Sequence, residues 1–169
     1  MTCITEILKL KGDLDFLKAP RPRSSVGVEG GGHYKGYEYL ITFNDMGFRC
    51  GYVAIPPDHP TNNFNGEYKY PDFNVHGGVT FFDQSHLAAE FFKDNHCIDK
   101  WIGFDAGHCG DARDLKCAIT YFPNMCESSL EHLKILDRTE EMSTIKTFIY
   151  MEDECKRIID QLIDEKEAA

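Results

Sequence analysis

Long apolar runs are missing from this sequence. No stretch approaches the roughly 18 uninterrupted apolar residues of a membrane-spanning helix, and the N-terminus lacks the basic start and apolar core of a secretory signal. Basic residues are scarce beside acidic ones: 18 Lys and Arg against 28 Asp and Glu give a net charge of −10. General nucleic-acid binding rests on cations that neutralise phosphates, so this balance argues against it. A local pocket can still attract one small phosphorylated ligand. Paired cysteine spacing is also absent. The seven cysteines (Cys3, Cys50, Cys97, Cys109, Cys117, Cys126 and Cys155) are odd in number and contain no C-x-x-C, which predicts reduced thiols in a cytoplasmic protein rather than a disulfide framework or a cysteine zinc site. There is no P-loop, G-x-G-x-x-G, G-x-S-x-G, H-E-x-x-H or zinc-deaminase pattern. The single H-x-x-x-T at His76 lacks the second copy that a paired-histidine phosphoesterase would need.

What is present supports one domain over residues 1–169: the length fits, and 42% hydrophobic residues can build a core. Tyr37–Phe43 and Phe48–Ile55 are rich in aromatic and β-branched residues, and Asn44-Asp45-Met46-Gly47 lies between them, which predicts an antiparallel hairpin. Val75–Phe82 and Lys100–Asp105 are expected strands. Apolar spacing suggests a short N-terminal helix or turn within residues 4–17. A second short helix is expected over Ser85–Phe92, capped by Asp83 or Ser85. Phe148, Met151, Cys155, Ile158, Ile159, Leu162 and Ile163 recur at intervals of three and four, which predicts a C-terminal amphipathic helix capped near Thr147 or Ser143-Thr144, with acids in its first turn. The prolines and Gly30-Gly31-Gly32 predict a flexible or loop segment around 20–33. A long loop around 58–74 carries several aromatics, a length that is often functional; those rings either line a ligand site or pin the loop by burial. Together these give an α+β fold: an antiparallel or mixed sheet of about four to six strands, with the C-terminal helix packed on one face.

Two segments concentrate chemistry. In His76-Gly77-Gly78-Val79-Thr80 the glycines permit a sharp turn or a close approach, and exposed amides there can meet an anion. If the segment is a strand, His76 and Thr80 share a face and lie roughly 13 Å apart, a distance that spans a small ligand better than it chelates an ion. In Gly103–Asp111, Asp105, His108 and Asp111 recur every three residues. That set can ligate a divalent metal, or Asp105 can orient His108 as an acid–base pair. The alternative for each residue is structural: Asp105 caps a turn, Asp111 caps a helix, and His108 is a bonded imidazole. Candidate catalytic residues are therefore His76, Asp105 and His108. Candidate metal ligands are Asp105, His108 and Asp111. Candidate ligand-binding residues are His76, Gly77, Gly78, Thr80, Trp101, Asp105, His108 and Asp111, with Tyr52, Phe64, Tyr68 or Trp101 stacking on a ring.

The run from Cys50-Gly51-Tyr52-Val53 through His59-Pro60, His76-Gly77-Gly78-Val79-Thr80 and Trp101-Ile102-Gly103-Phe104-Asp105 to His108-Cys109-Gly110-Asp111 resembles a family of small uncharacterised proteins from bacteria and their phages. The likeness spans roughly residues 36 to 165 and brings no catalytic assignment. A phage setting implies capture of a nucleotide-derived defence signal in the host cytosol. The expected partner is thus a small polar or nucleotide-like ligand, with neither membrane nor general nucleic-acid binding. A divalent metal cofactor and homo-oligomerisation stay open. A metal-dependent hydrolase using Asp105, His108, Asp111 and His76 is the alternative, and a protein-interaction module is the second.

Overall fold

The computed structural model describes residues 26–64, 70–84, 100–123, 125–139 and 144–168. The helices expected at 4–17 and 85–92, the segment 20–25 and Tyr68 lie outside them. The fold is α+β. Five strands form an antiparallel sheet in the order β1-β2-β3-β5-β4: β1 is Val26–Tyr34, β2 Tyr37–Asn44, β3 Arg49–Ile55, β4 Phe81–Gln84 and β5 Lys100–Asp105. Two-residue strands β6 (Asp111–Ala112) and β7 (Thr144–Ile145) pair in parallel. Helices α1 (Leu115–Tyr121), α2 (Glu127–Thr139) and α3 (Phe148–Ala168) complete the order.

The β2–β3 hairpin forms where expected, and its turn is locally encoded. Asn44 Oδ1 accepts the amides of Met46 and Phe48 at 3.0 and 3.3 Å, and the Gly47 amide returns to Asn44 O at 3.0 Å. Helix α3 starts on Thr147, whose hydroxyl accepts the Tyr150 amide. Phe148, Ile149 and Tyr150 make its first turn, so the expected acids begin one turn later. Its stripe of Met151, Cys155, Ile158, Ile159 and Leu162 is buried with Ile41, Val53, Ile55, Ile102 and Phe104 from the sheet. Each large side chain in that layer contributes about 1.5–3 kcal/mol through burial.

Three sequence expectations change. Residues 26–33 are not a loop but most of strand β1. A glycine-rich strand holds here because rings from elsewhere fill the space its side chains would take: a Cβ on Gly30 would stand 2.8 Å from the Phe148 ring. The β1–β2 register shifts between Val28 and Gly30. Such a bulge re-aims a side chain, and Glu29 is fully buried. Arg49 meets it with Nε and Nη2 at 2.7 and 2.9 Å. Arg49 Nη1 also reaches Lys146 O at 3.2 Å and Asp114 Oδ2 at 3.5 Å.

Second, the strand expected from Val75 begins only at Phe81. Gly77 and Gly78 take φ of +67° and +82°, which turns the chain, so His76 and Thr80 do not share a strand face. Third, the loop at 58–74 contains a short 3-10 helix, Pro60–Asn63. Buried His59 accepts the Thr61 amide on Nδ1 and donates from Nε2 to Leu162 O at 2.7 Å, which fastens this segment to the end of α3.

Candidate functional site

The two chemistry-bearing segments meet. The ring centroids of His76 and His108 are 5.7 Å apart. Asp111 is the hub between them: its Oδ2 accepts from His76 Nε2 at 2.8 Å and from the His108 amide at 3.2 Å, while its Oδ1 lies 3.5 Å from Lys146 Nζ. An ionised carboxylate only accepts, so the His76 proton sits on Nε2 and Nδ1 is left to accept from the Tyr150 hydroxyl, 3.0 Å away. The His76 amide donates to Glu154 Oε2 at 2.8 Å, and Arg157 pairs with that carboxylate at 3.1 Å. Desolvation holds the Tyr150 phenol above its usual range, with the charge of Glu154 adding to the effect. This keeps Tyr150 a donor.

His76 and Asp111 are therefore committed within the protein. They lock the Gly77-Gly78 turn and β6 onto the start of α3. His108 is held differently. Its Nε2 is buried under Gly77, where a Cβ would stand only 1.8 Å away. Among the described residues that nitrogen has no hydrogen bond; Asp105 Oδ1, at 3.7 Å, lies beyond reach. Asp105 Oδ1 instead accepts the Gly107 amide at 2.9 Å, a local turn. The helix cap nearby is Asp114, not Asp111: Asp114 Oδ1 accepts the Cys117 amide at 3.1 Å at the start of α1. Among the described residues, no three His, Cys, Asp or Glu side chains converge as a metal ion requires, so Asp105, His108 and Asp111 are neighbours without a common point.

Next to this junction lies a cavity of about 340 Å³. Asp105 belongs to both. Its polar lining residues are Asn44, Cys50, Thr80 and Asp105, and its aromatic ones Phe48, Tyr52, Phe81 and Phe104, the last with its ring packed under α3. Strand alternation builds it: Cys50 and Tyr52 are two of the three half-buried positions of β3, between buried Arg49, Gly51 and Val53. Thr80 is placed by its amide, which donates to Gly103 O at 2.8 Å. Burial, aided by the Asp105 charge, pushes the Cys50 thiol up to about 12, so it is not a nucleophile at neutral pH. Desolvation likewise raises the Tyr52 phenol.

Of the residues singled out from sequence, Thr80, Asp105 and Tyr52 line this cavity. His76, Gly77, Gly78, His108 and Asp111 form the adjoining junction. Trp101 does neither: it is fully buried against Leu40, with Tyr52 and Phe81 packed around them. Phe64 stacks edge-on with Phe82, 5.9 Å between centroids. Sequence reasoning missed Asn44, Phe48, Cys50, Phe81 and Phe104. The period-two pattern of β3 was the available signal for Cys50, since it shares a face with Tyr52.

No helix among the described residues is long and apolar enough to cross a membrane. No family model, curated protein or solved structure matches the chain.

Proposed function

We propose that this protein binds a small polar molecule in the cavity between β3, β5 and the turn entering β4, and does not turn it over. The supporting observation is the cavity itself: about 340 Å³, the rings of Phe48, Tyr52 and Phe81, and the polar side chains of Thr80 and Asp105. Ligand pockets run from about 300 to 1,000 Å³, largely apolar with a few placed polar groups. The size admits one ring system rather than a dinucleotide. The bacterial and phage resemblance adds the expectation of a nucleotide-derived signal in the host cytosol. On this reading only the base or sugar of such a signal enters, because Asp105 would repel a phosphate.

The hydrolase reading has less support, since both ring nitrogens of His76 are engaged. Calorimetric titration with nucleosides, nucleotides and small amines tests the proposal. Binding should weaken at least about tenfold in Asp105→Asn, a loss of about 1.4 kcal/mol, and also in Tyr52→Leu. Equal binding by both variants refutes the site. Ligand cleavage in the presence of a divalent cation, lost in Asp105→Asn and His108→Ala, would replace binding by hydrolysis.

A further inference from the structure

We infer that the group recognised in this cavity is an organic cation, an amine or alkylammonium head; this rests on the reading above that the cavity is the ligand site. Two observations converge. Among the described residues, Asp105 is the only formally charged one lining the space, and of its two oxygens only Oδ1 is hydrogen-bonded there. One carboxylate beside aromatic rings favours a cation and disfavours an anion.

The second observation is the arrangement of the rings. Tyr52 and Phe81 stand at 86° with centroids 5.5 Å apart. This edge-to-face contact leaves no parallel slot between them to sandwich a flat heterocycle, whereas a compact ammonium head needs only one ring face. Attraction of a cation to aromatic faces is the basis of recognition of quaternary ammonium ligands.

The Arg113 guanidinium already covers the Phe48 ring, 4.7 Å from its centroid, with Nη2 donating to Gly107 O at 2.9 Å, which leaves Tyr52 and Phe81 as the rings for a ligand head. The protein's net charge of −10 adds a field that draws cations to its surface.

Choline and its neutral carbon isostere, with a tert-butyl group in place of the trimethylammonium head, differ in charge and hardly in shape. Trp101 is the only tryptophan and packs with Tyr52 and Phe81 of the cavity wall, so its fluorescence reports occupancy, with calorimetry as the second readout. Choline should bind at least about fivefold more tightly than the isostere, and Asp105→Asn should erase that preference. Equal binding of the pair, or a preference that survives Asp105→Asn, overturns the inference. If choline fails while adenosine or guanosine binds and loses affinity in Asp105→Asn, the cation is wrong and the site stands. If none of these probes binds, both fall.

Discussion

Gly77 gives the sharpest test of how the two histidine segments are joined. Gly77→Ala brings two costs. An alanine at φ +67° sits in the left-handed region, about 1–2 kcal/mol above its preferred conformations. Its Cβ would also stand 1.8 Å from His108 Nε2 and 2.2 Å from Cδ2, so the imidazole must leave its place under the turn. Overpacking of that kind costs a further ~1–3 kcal/mol. Gly78→Ala is the internal control: φ is +82°, yet nothing lies within 4 Å of its Cβ, leaving the backbone term alone. With a urea slope of about 1–3 kcal/mol/M, an extra ~2 kcal/mol separates the two unfolding midpoints by roughly 1 M. His108→Ala removes the obstructing ring but keeps the amide that donates to Asp111. In that background Gly77→Ala should cost no more than Gly78→Ala, a coupling of about 2 kcal/mol in a double-mutant cycle. Coincident midpoints for the two glycine variants, or no coupling to His108, would refute the proposed seating of the turn on the ring.

Two other predictions concern groups outside the cavity. Arg49→Met strands the buried carboxylates of Glu29 and Asp114 and should destabilise the fold by about 3–5 kcal/mol in urea melts at neutral pH; much of that should return when Glu29→Gln is added, and a loss under about 1 kcal/mol would show that the pair carries little weight. The Cys126 thiol is held down to about 7 by the Ser128 and Ser129 hydroxyls, each 3.1 Å away. Its alkylation rate should therefore climb through neutral pH, while Cys50, pushed up to about 12, and buried Cys155 stay unreacted. Peptide mass spectrometry reads the order, and Ser128→Ala with Ser129→Ala should move the Cys126 profile to higher pH.

How far the sequence exposed this molecule depends on where each residue's partners lie. The β2–β3 hairpin was legible because Asn44 satisfies amides two and four residues on. Helix α3 was legible because its apolar spacing is internal to it. Strand β1 was not: Gly30 is extended chain only because Phe148 covers it, and Glu29 is tolerable in a core only because Arg49 meets it. The same rule separates the site residues. Composition pointed to His76, His108 and Asp111, and they do come together. What composition cannot display is satisfaction. His76 is completed by Tyr150 on Nδ1, 74 residues away along the chain, by Asp111 on Nε2, 35 away, and by Glu154 on its backbone amide, 78 away. With those bonds made, its nitrogens have nothing left for a ligand. Trp101 fails as a stacking residue for a related reason, since Leu40 on another strand closes over it. Among the described residues Asp105 keeps one oxygen without a hydrogen bond, and Thr80 is exposed. A residue is available for function when its polar atoms remain uncommitted after the fold has taken its share. On that criterion the weight of the two segments moves from the histidines to Asp105, the one residue that belongs to both the junction and the cavity.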